Sequence, residues 1–272
     1  MNAAAAPVRL AVLGDPLAFT RSPELHRAGL AALGLDCVSE ARRTPAAGVA
    51  MELRALARAG FLGASLTHPL KEAALGAVDR SSPDARTARS INTVGFDREG
   101  MWGESTDGPG FLDLLESLGL APTRVVLLGA GGAARSLALS LARASAPRIV
   151  VASRRPVEAA TTWGAIPGAT LVPWRSPAEA DALGRADLVV HCTPLADADG
   201  PAPLAAIERG AALIDLVYGA EPTPWVQAAR ADGRRAWDGL GLLVFQARRA
   251  LRLWLGREVP LEPLAQAVGW PR

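Results

Sequence analysis

Short apolar runs alternate with helix-spaced apolar residues in the N-terminal part of the chain. Residues 8–13 are apolar except for Arg9 and are closed by Gly14, which predicts a buried strand. Ser22 and Pro23 then predict the start of a helix, because Ser is a favoured N-cap and Pro suits the first helical position. Strands that alternate with helices are typical of a parallel sheet.

A hairpin adds an antiparallel component to this pattern. Short strands are predicted near 37–41 and 61–67, with a helix near 49–59 between them. Residues 91–96 and 101–105 indicate two further strands joined by a tight turn. Because a tight turn joins antiparallel strands, the sequence predicts a mixed sheet in this domain.

A second alternating series predicts a doubly wound parallel sheet in the rest of the chain. A tail with helical spacing, and with Arg on its outer face, follows this series. The predicted strands of the second series are 124–128, 148–152, 186–190 and 211–217. The predicted helices are 108–118, one that ends near 144, 239–255 and 260–268, and residues 196–203 form a predicted loop.

The composition narrows the class of protein. With 272 residues, of which 50% are hydrophobic and 21% charged, the chain has the makeup of a globular protein with room for two domains. Its 29 basic and 27 acidic residues create no basic field, so we expect no nucleic-acid partner. Cys37 and Cys192 form no CxxC motif or ligand cluster, so neither a disulfide scaffold nor a metal site is predicted.

The apolar runs and the first residues of the chain indicate where in the cell the protein is expected. Runs such as 125–134 and 240–247 are too short to cross a bilayer. Residues 1–6 lack the charged and apolar segments of a secretory leader. We therefore expect a cytoplasmic protein without a membrane partner.

Lysine is almost absent from the chain. Of the 29 basic residues, 28 are Arg and one is Lys71. Arg keeps its proton near neutrality whereas a partly buried Lys can lose it, so Lys71 is a candidate for proton transfer. The alternative is a surface Lys retained by chance. Tyr218, the only Tyr, and Asn92, the only Asn besides Asn2, are rare in the same way.

A glycine-rich turn lies between a predicted strand and a predicted helix. In this turn Gly129 suits a tight bend, Gly131 lets backbone amides approach a pyrophosphate, and Ala134 permits close packing of the helix on the sheet. These features fit the GxGxxG/A fingerprint of dinucleotide binding. The alternative is an ordinary turn in a chain rich in Ala and Gly.

The second strand of this series ends in Ser153-Arg154-Arg155. A ribose-binding carboxylate would stand here in an NAD enzyme, but the chain has none at this place. Two guanidinium groups can bind a 2′-phosphate with charge-assisted hydrogen bonds, so NADP is the predicted cofactor. The alternative is a solvated Arg pair at a helix start.

The segment 63–71 leads from a strand end through a proline turn to a helix start. This places Ser65, Thr67 and Lys71 at the carboxyl edge of the sheet, where ligands of α/β proteins bind. Asp107 stands at the expected crossing between the domains, where it can orient the Lys71 amine as one half of an acid/base pair. The alternative for Asp107 is the N-cap of the following helix.

Seven landmarks stand in order along the chain. They are Thr20-Arg21-Ser22-Pro23 with His26, the segment 65–71, Ile91-Asn92-Thr93, Ser105-Thr106-Asp107-Gly108, the segment 129–134, Asp215-Leu216-Val217-Tyr218, and Gly239 with Gln246. Through these landmarks the chain resembles the shikimate dehydrogenase family from end to end. The resemblance implies the NADP-dependent, reversible reduction of 3-dehydroshikimate to shikimate in aromatic amino-acid biosynthesis.

The resemblance also implies an α/β fold with two domains. Residues 1–105 with 239–272 would form a mixed βαβ substrate domain, to which the C-terminal helices return. Residues 106–238 would form a Rossmann-type NADP-binding domain. The implied partner is a small-molecule substrate, and the chain is expected to be a monomer or homodimer.

The resemblance assigns roles to individual residues, and the three rare residues all receive one. Lys71 and Asp107 are the implied catalytic pair. The implied substrate-binding residues are Thr20, Ser22, Ser65, Thr67, Asn92, Tyr218 and Gln246. The implied cofactor-binding residues are Gly129, Ala130, Gly131, Gly132, Ala133, Ser153, Arg154, Arg155, Thr193, Leu216 and Gly239.

The chain departs from the family's pattern at several positions. The family usually has Ser at 20 and Asn at the other four positions, where this chain has Thr20, Ser65, Ser105, Ser153 and His191. Ser is shorter than Asn and offers no amide donor. Ser65 and Ser105 can therefore change which hydroxyl groups of the substrate ring are bound, and with them the substrate preference. We expect His191 to be a loop residue beside the nicotinamide without a catalytic role, and His26 and His68 to be structural.

Two other functions stay open at this point. One is a paralogue that oxidises quinate or an amino-substituted analogue such as aminoshikimate. The other is a catalytically silent, nucleotide-binding regulator that kept the fold.

Overall fold

The computed structural model describes residues 6–17, 19–144, 148–194 and 200–272. The chain divides into two compact units. The first comprises the described residues up to Gly110 together with Leu243–Pro271, and the second comprises Phe111–Leu242 with Arg272. The sequence places the corresponding domain boundaries at 105 and 239.

Helices and strands alternate along the described residues. The strands are β1 (Val8–Gly14), β2 (Cys37–Arg43), β3 (Gly63–Leu66), β4 (Arg80–Ser81), β5 (Thr93–Asp97), β6 (Gly100–Glu104), β7 (Arg124–Leu128), β8 (Arg148–Ser153), β9 (Ala169–Pro173), β10 (Leu188–His191), β11 (Ala212–Asp215) and β12 (Ala236–Trp237). The helices are α1 (Ser22–Ala31), α2 (Val49–Arg58), α3 (Leu70–Ala73), α4 (Pro83–Ala88), α5 (Asp107–Ser117), α6 (Gly132–Ala144), α7 (Pro156–Trp163), α8 (Pro177–Leu183), α9 (Pro224–Ala231), α10 (Leu240–Leu255) and α11 (Leu261–Val268).

The first unit contains the predicted mixed sheet, with strand order β2-β1-β3-β5-β6-β4. Strand β1 runs parallel to β2 and β3, whereas β5 is antiparallel to β3 and β6. All four residues of β3 are buried, because helices cover the parallel part of the sheet. Because β1 and β3 run parallel, their carboxyl ends lie at the same edge of the sheet.

The C-terminal helices pack on the first unit, as predicted. The Trp254 indole N–H on α10 donates to the Val94 carbonyl of β5 at 2.9 Å. Gly63 makes this possible, because a Cβ there would lie 2.2 Å from the Trp254 ring nitrogen. Helix α11 packs against α1. Residues far apart in the chain therefore build one core.

The second unit is the predicted doubly wound sheet, with strand order β12-β11-β10-β7-β8-β9. All its strand pairs are parallel. Strands β7 and β10 are buried almost throughout, as is typical of parallel sheets covered on both faces. The glycine-rich turn leaves the central strand β7 at its carboxyl end, which is the place where such sheets bind ligands.

Several predictions of detail need correction. The sequence predicts Ser22 as the N-cap of α1, but the N-cap is Arg21, whose carbonyl accepts the first bonds from Glu24 and Leu25. The helix start predicted at the end of segment 63–71 is confirmed as α3, whereas α4, α7, α8, α9 and the short strands β4, β9 and β12 are not among the predicted elements. Their apolar patterns are too short to show a period. The predicted loop 196–203 falls largely on residues 195–199, which lie outside the described residues.

The described residues contain neither a membrane-spanning helix nor a metal-binding cluster. In the ranges given above, no helix is long and apolar enough to span a membrane. The same ranges contain no group of three or more His, Cys, Asp or Glu side chains placed to hold a metal ion.

Candidate active site

The structure brings the two predicted acid/base residues together within the first unit. Lys71 Nζ lies 2.6 Å from Asp107 Oδ2. The Lys71 side chain is 22% exposed and that of Asp107 is 5% exposed, so the amine faces solvent while the carboxylate lies inside. Lys71 is carried by α3, directly after the turn that follows β3, and Asp107 is the first residue of α5. An amine and a carboxylate in this contact can exchange a proton with a third group placed beside them.

The second oxygen of Asp107 is held by Asn92. Asn92 Nδ2 donates to Asp107 Oδ1 at 2.8 Å, so each carboxylate oxygen has its own donor. Asn92 is 2% exposed and lies just before β5. A buried carboxylate is tolerated only when its oxygens accept hydrogen bonds, and here they do.

Asn92 is the centre of a buried polar cluster, which we call the Asn92 network and which consists of Asn92, Thr106, Asp107 and Gln246. Asn92 Nδ2 also lies 2.9 Å from Thr106 Oγ1 and 3.1 Å from Gln246 Oε1. Asn92 Oδ1 accepts from the Thr106 backbone N–H at 2.7 Å. The network therefore fixes the orientation of the Asn92 amide and, through it, that of the Asp107 carboxylate.

Gln246 reaches the network because α5 and α10 approach each other closely. A Cβ on Gly110 would lie 2.7 Å from the backbone nitrogen of Gln246. The Gln246 side-chain N–H donates to the Leu243 carbonyl at 3.0 Å, which turns Oε1 toward Asn92. Thr106 and Gly110 are not among the predicted site positions. Thr106 stands in one of the seven landmarks but receives no role there, and the sequence signal for Gly110 is its proximity to Asp107.

Ser65 and Thr67 lie at the carboxyl end of β3, as predicted. Ser65 Oγ lies 3.2 Å from His26 Nε2, and His26 Nδ1 lies 2.8 Å from Ser39 Oγ. Thr67 packs on the last residue of β1, because a Cβ on Gly14 would lie 2.3 Å from Thr67 Cγ2. The Ser65 hydroxyl is thus positioned by a histidine for which the sequence predicts only a structural role.

His26 is completely buried and makes an edge-to-face contact with Trp254 at 5.5 Å. Burial lowers the pKa of His26 from 6.5 to about 3, and the nearby Arg27 charge acts in the same direction. A neutral imidazole carries one donor and one acceptor nitrogen, and the two serine hydroxyls supply the matching partners.

Thr20 and Ser22 lie beside each other at the start of α1. The Ser22 backbone N–H lies 3.4 Å from Thr20 Oγ1, and Ser22 is 6% exposed. Tyr218, the remaining predicted substrate contact, follows β11 and belongs to the second unit. The other six predicted substrate contacts belong to the first unit.

The glycine-rich turn of the second unit has the shape that a phosphate cradle requires. Gly129 has φ +118°, and a Cβ there would lie 2.6 Å from Thr193 Cγ2. At Gly131 a Cβ would meet nothing within 4 Å, so the backbone amides at the start of α6 face open space. Ala130 is held through its carbonyl, which accepts from the Trp163 indole at 3.2 Å. Gly132 and Ala133 then form the first turn of α6, whose amides favour an anion.

Arg154 and Arg155 stand at the end of β8 with exposed side chains. The Arg155 backbone N–H donates to the buried Ser153 Oγ at 3.1 Å, which shapes the turn into α7. Within the described part of the chain, no carboxylate pairs with either guanidinium group. Two unneutralised guanidinium groups at this edge fit a phosphate monoester.

Leu216 and Gly239, two of the implied cofactor-binding residues, lie in close contact. A Cβ on Gly239 would lie 2.1 Å from the Leu216 carbonyl oxygen, so only glycine permits this approach. The Leu216 N–H donates to the His191 carbonyl at 2.9 Å.

The expectation for His191 as a loop residue is wrong. His191 is the last residue of β10, and its side chain is 2% exposed. It lies between Asp215 and Thr193, at 2.9 Å and 2.6 Å respectively. The burial of His191 could have been predicted from its position directly after three apolar residues of the predicted strand.

Comparisons with known proteins agree with this geometry. A family model described as the shikimate dehydrogenase substrate binding domain matches residues 12–94, and one described as the shikimate 5′-dehydrogenase C-terminal domain matches residues 239–268. A third, described as NADP oxidoreductase, coenzyme F420-dependent, matches residues 124–219.

Individual relatives cover nearly the whole chain. A shikimate dehydrogenase (NADP(+)) of Moorella thermoacetica is 37% identical over 268 residues, which cover 93% of this chain and 89% of the relative. One of Acidiphilium cryptum is 40% identical over 251 residues, covering 90% and 89%. The crystal structure of shikimate 5-dehydrogenase from Thermus thermophilus, in complex with NADP(H) and shikimate, is 35% identical with a TM-score of 0.84, covering 96% of this chain and 98% of that one.

Proposed function

Because the chain belongs to the shikimate dehydrogenase family, we propose that it catalyses the NADP-dependent interconversion of shikimate and 3-dehydroshikimate. The observation that carries this proposal is the contact of Lys71 with Asp107, buttressed by the Asn92 network. A regulator that no longer catalyses has no chemical need for this arrangement around its only lysine.

Lys71 and Asp107 handle the proton of the reacting hydroxyl. In the direction of oxidation, Lys71 Nζ takes the proton as the carbon–oxygen double bond forms. Asp107 accepts a hydrogen bond from the Lys71 amine and so holds it beside the reacting hydroxyl. NADP, when bound, accepts the hydride from the carbinol carbon, and NADPH returns it in the reverse direction.

Hydroxyl and amide groups of the first unit bind the rest of a polyhydroxylated ring. Ser65 and Thr67 present hydroxyl groups at the end of β3, while Asn92 and Gln246 present amides from the network. Thr20 and Ser22 at the start of α1 bind the carboxylate, which a helix N-terminus also favours. Tyr218, which follows β11, is proposed as a further substrate-binding residue.

The second unit fits NADP. The open space before Gly131 admits a pyrophosphate onto the first turn of α6, and Arg154 and Arg155 hold the 2′-phosphate. Ser153, Ala130, Gly132 and Ala133 shape the surrounding turns. Residues 1–105 with 239–272 would thus serve as the substrate domain, and residues 106–238 as the NADP domain.

The test is a steady-state comparison of shikimate and quinate, each with NADP and with NAD. The proposal expects NADP reduction by shikimate to have the highest kcat/KM. A higher kcat/KM for quinate would instead identify a quinate-oxidising paralogue, and NADP binding without turnover of either acid would identify a regulator.

We also propose that the enzyme acts in the cytoplasm as a monomer or homodimer, without nucleic-acid or membrane partners. Support for the absence of a nucleic-acid partner comes from the nearly balanced charge. Sedimentation of the purified chain with and without NADP would decide the oligomeric state.

A further inference from the structure

A buried hydrogen-bonded chain links Asp215, His191 and Thr193 in the second unit. His191 Nδ1 lies 2.9 Å from Asp215 Oδ1, and its Nε2 lies 2.6 Å from Thr193 Oγ1. The side chains of His191 and Asp215 are 2% and 3% exposed. Neither residue has a role in the proton transfer proposed above.

Asp215 is held by several hydrogen bonds at once. Its Oδ1 also accepts from the Val217 backbone N–H at 3.0 Å, and its Oδ2 accepts from the Thr223 hydroxyl at 2.7 Å. Trp225 packs edge-on against the His191 ring with centroids 6.4 Å apart. The orientation of the imidazole is therefore set by hydrogen bonds at both ring nitrogens and by the aromatic contact.

The carboxylate also fixes the direction of the hydrogen bonds. Asp215 can only accept from His191, so the proton of the imidazole sits on Nδ1. In the neutral ring Nε2 is then an acceptor, and the Thr193 hydroxyl donates to it. Because the Thr193 hydroxyl proton is directed to Nε2, the Thr193 oxygen can accept a further hydrogen bond from a donor such as an amide N–H.

The sheet order places this chain of residues on a particular side of the cofactor site. The phosphate cradle follows β7, and the two arginines that fit a 2′-phosphate follow β8, on one side of β7. His191 and Asp215 end β10 and β11, on the other side. A dinucleotide whose pyrophosphate lies at β7 and whose adenosine half lies toward β8 extends its nicotinamide half toward β10.

Thr193 connects the two regions. Its Cγ2 would lie 2.6 Å from a Cβ on Gly129, so the threonine packs directly against the first glycine of the cradle.

We propose that His191 is a positioning residue for the nicotinamide half of NADP. Anchored by Asp215, it holds the Thr193 hydroxyl as an acceptor for the nicotinamide carboxamide. This inference rests on the proposed function, because it needs NADP as the cofactor.

Two variants separate this role from a structural one. In His191→Asn the side-chain amide reaches the place of Nδ1 and keeps the hydrogen bond to Asp215, but it is too short to reach Thr193. Thr193→Val keeps the shape and removes the hydroxyl. Thr170→Val, at an exposed position on β9 of the same unit, is the matched control.

The measurement is calorimetric titration of the full chain with NADP⁺ and, separately, with 2′,5′-ADP, which is the adenosine half of the cofactor without nicotinamide. We expect His191→Asn and Thr193→Val each to weaken NADP⁺ binding about tenfold, the loss typical of one well-placed hydrogen bond. Binding of 2′,5′-ADP stays at the wild-type value. The double variant is no weaker than either single one, because both changes remove the same contact.

Other results overturn the inference. Unchanged NADP⁺ binding in both variants, equal loss for NADP⁺ and 2′,5′-ADP, or additive losses in the double variant each contradict it. If His191→Asn does not fold, Thr193→Val alone decides between these outcomes. If the wild type binds NADP⁺ and oxidises shikimate but both variants bind NADP⁺ as tightly as the wild type, the inference is refuted and the proposed function stands. If the wild type binds no NADP⁺, the proposed function itself is refuted.

Discussion

The side-chain amide of Asn92 lies 2.8 Å from Oδ1 of Asp107. The same amide group also contacts Thr106 and Gln246, and the amide oxygen accepts from the Thr106 backbone. Asn92 is therefore held in one orientation by several protein partners. Its first effect on the reaction is to aim the Asp107 carboxylate, and through it the Lys71 amine.

Replacing Asn92 with Ala leaves several buried polar atoms without partners. We expect the free energy of unfolding to fall by about 1–3 kcal/mol, the cost of leaving such groups unsatisfied. We also expect kcat/KM for shikimate to fall by about a hundredfold, because the carboxylate loses its orientation. Urea titration and steady-state kinetics measure the two effects. Gln266→Ala, which removes an exposed amide on α11, should change neither, and a wild-type kcat/KM for Asn92→Ala would contradict the role given to Asn92.

The Lys71→Arg variant tests whether Lys71 transfers a proton or only supplies a positive charge. Arg keeps the positive charge and can pair with Asp107, but it does not release a proton near neutrality. We expect kcat to fall by about a thousandfold in Lys71→Arg and also in Lys71→Ala, in line with the loss of a general base. Shikimate affinity, measured by equilibrium titration, should change only severalfold in Lys71→Arg. Near-wild-type turnover of Lys71→Arg would show that Lys71 supplies charge alone.

The sequence predicts the elements of the fold better than the contacts of the site. The apolar runs at β1, β7 and β10 and the glycine-rich turn have strong local patterns, and these patterns predict both sheets. The meeting of Asn92 with Gln246, 154 positions away, has no local pattern. It depends on how closely α10 approaches α5, which the missing Cβ of Gly110 permits.

The contacts of two histidines, like those of Asn92, could not be predicted from the sequence. His26 and His191 each have a plain sequence context, one on an amphipathic helix and one at a strand end. Only the packed structure shows that each lies between two oxygen-bearing side chains. The contact of His26 Nε2 with the Ser65 hydroxyl, at 3.2 Å, is one that the sequence does not predict.

Arg154 and Arg155 should set the preference for NADP over NAD. In the described part of the chain neither guanidinium has a carboxylate partner, so a 2′-phosphate would be their counter-charge. We expect Arg155→Ala and Arg154→Ala each to raise KM for NADP about tenfold or more, the scale of a charge-assisted hydrogen bond, while KM for NAD changes little. Arg148→Ala, at the opposite end of the same strand β8, is the matched control. Equal changes of KM for both nucleotides would count against a 2′-phosphate site.

His26 should make the stability of the protein depend on pH. In the folded state burial lowers the pKa of His26 to about 3, whereas in the unfolded chain it titrates near 6.5. Between these values the unfolded chain binds a proton that the folded chain does not, so stability is full above pH 6.5 and falls by about 1.4 kcal/mol per pH unit below it. Urea unfolding at pH values from about 7 to about 4.5 measures this slope for the wild type and for His26→Gln.

The comparison of slopes isolates His26 from other titrating groups. The pKa of Glu179 is raised by its burial, which gives a contribution of opposite sign, but that contribution is the same in both proteins. We therefore expect the slope below about pH 6.5 to be smaller in His26→Gln by about 1 kcal/mol per pH unit or more, whatever its stability at neutral pH. His68→Gln, which changes an exposed histidine, should leave the slope as it is. Should His26→Gln not fold, nitrogen-15 resonances of the wild-type imidazole give the same information, since protonation of His26 above about pH 5 in the folded state would contradict the prediction.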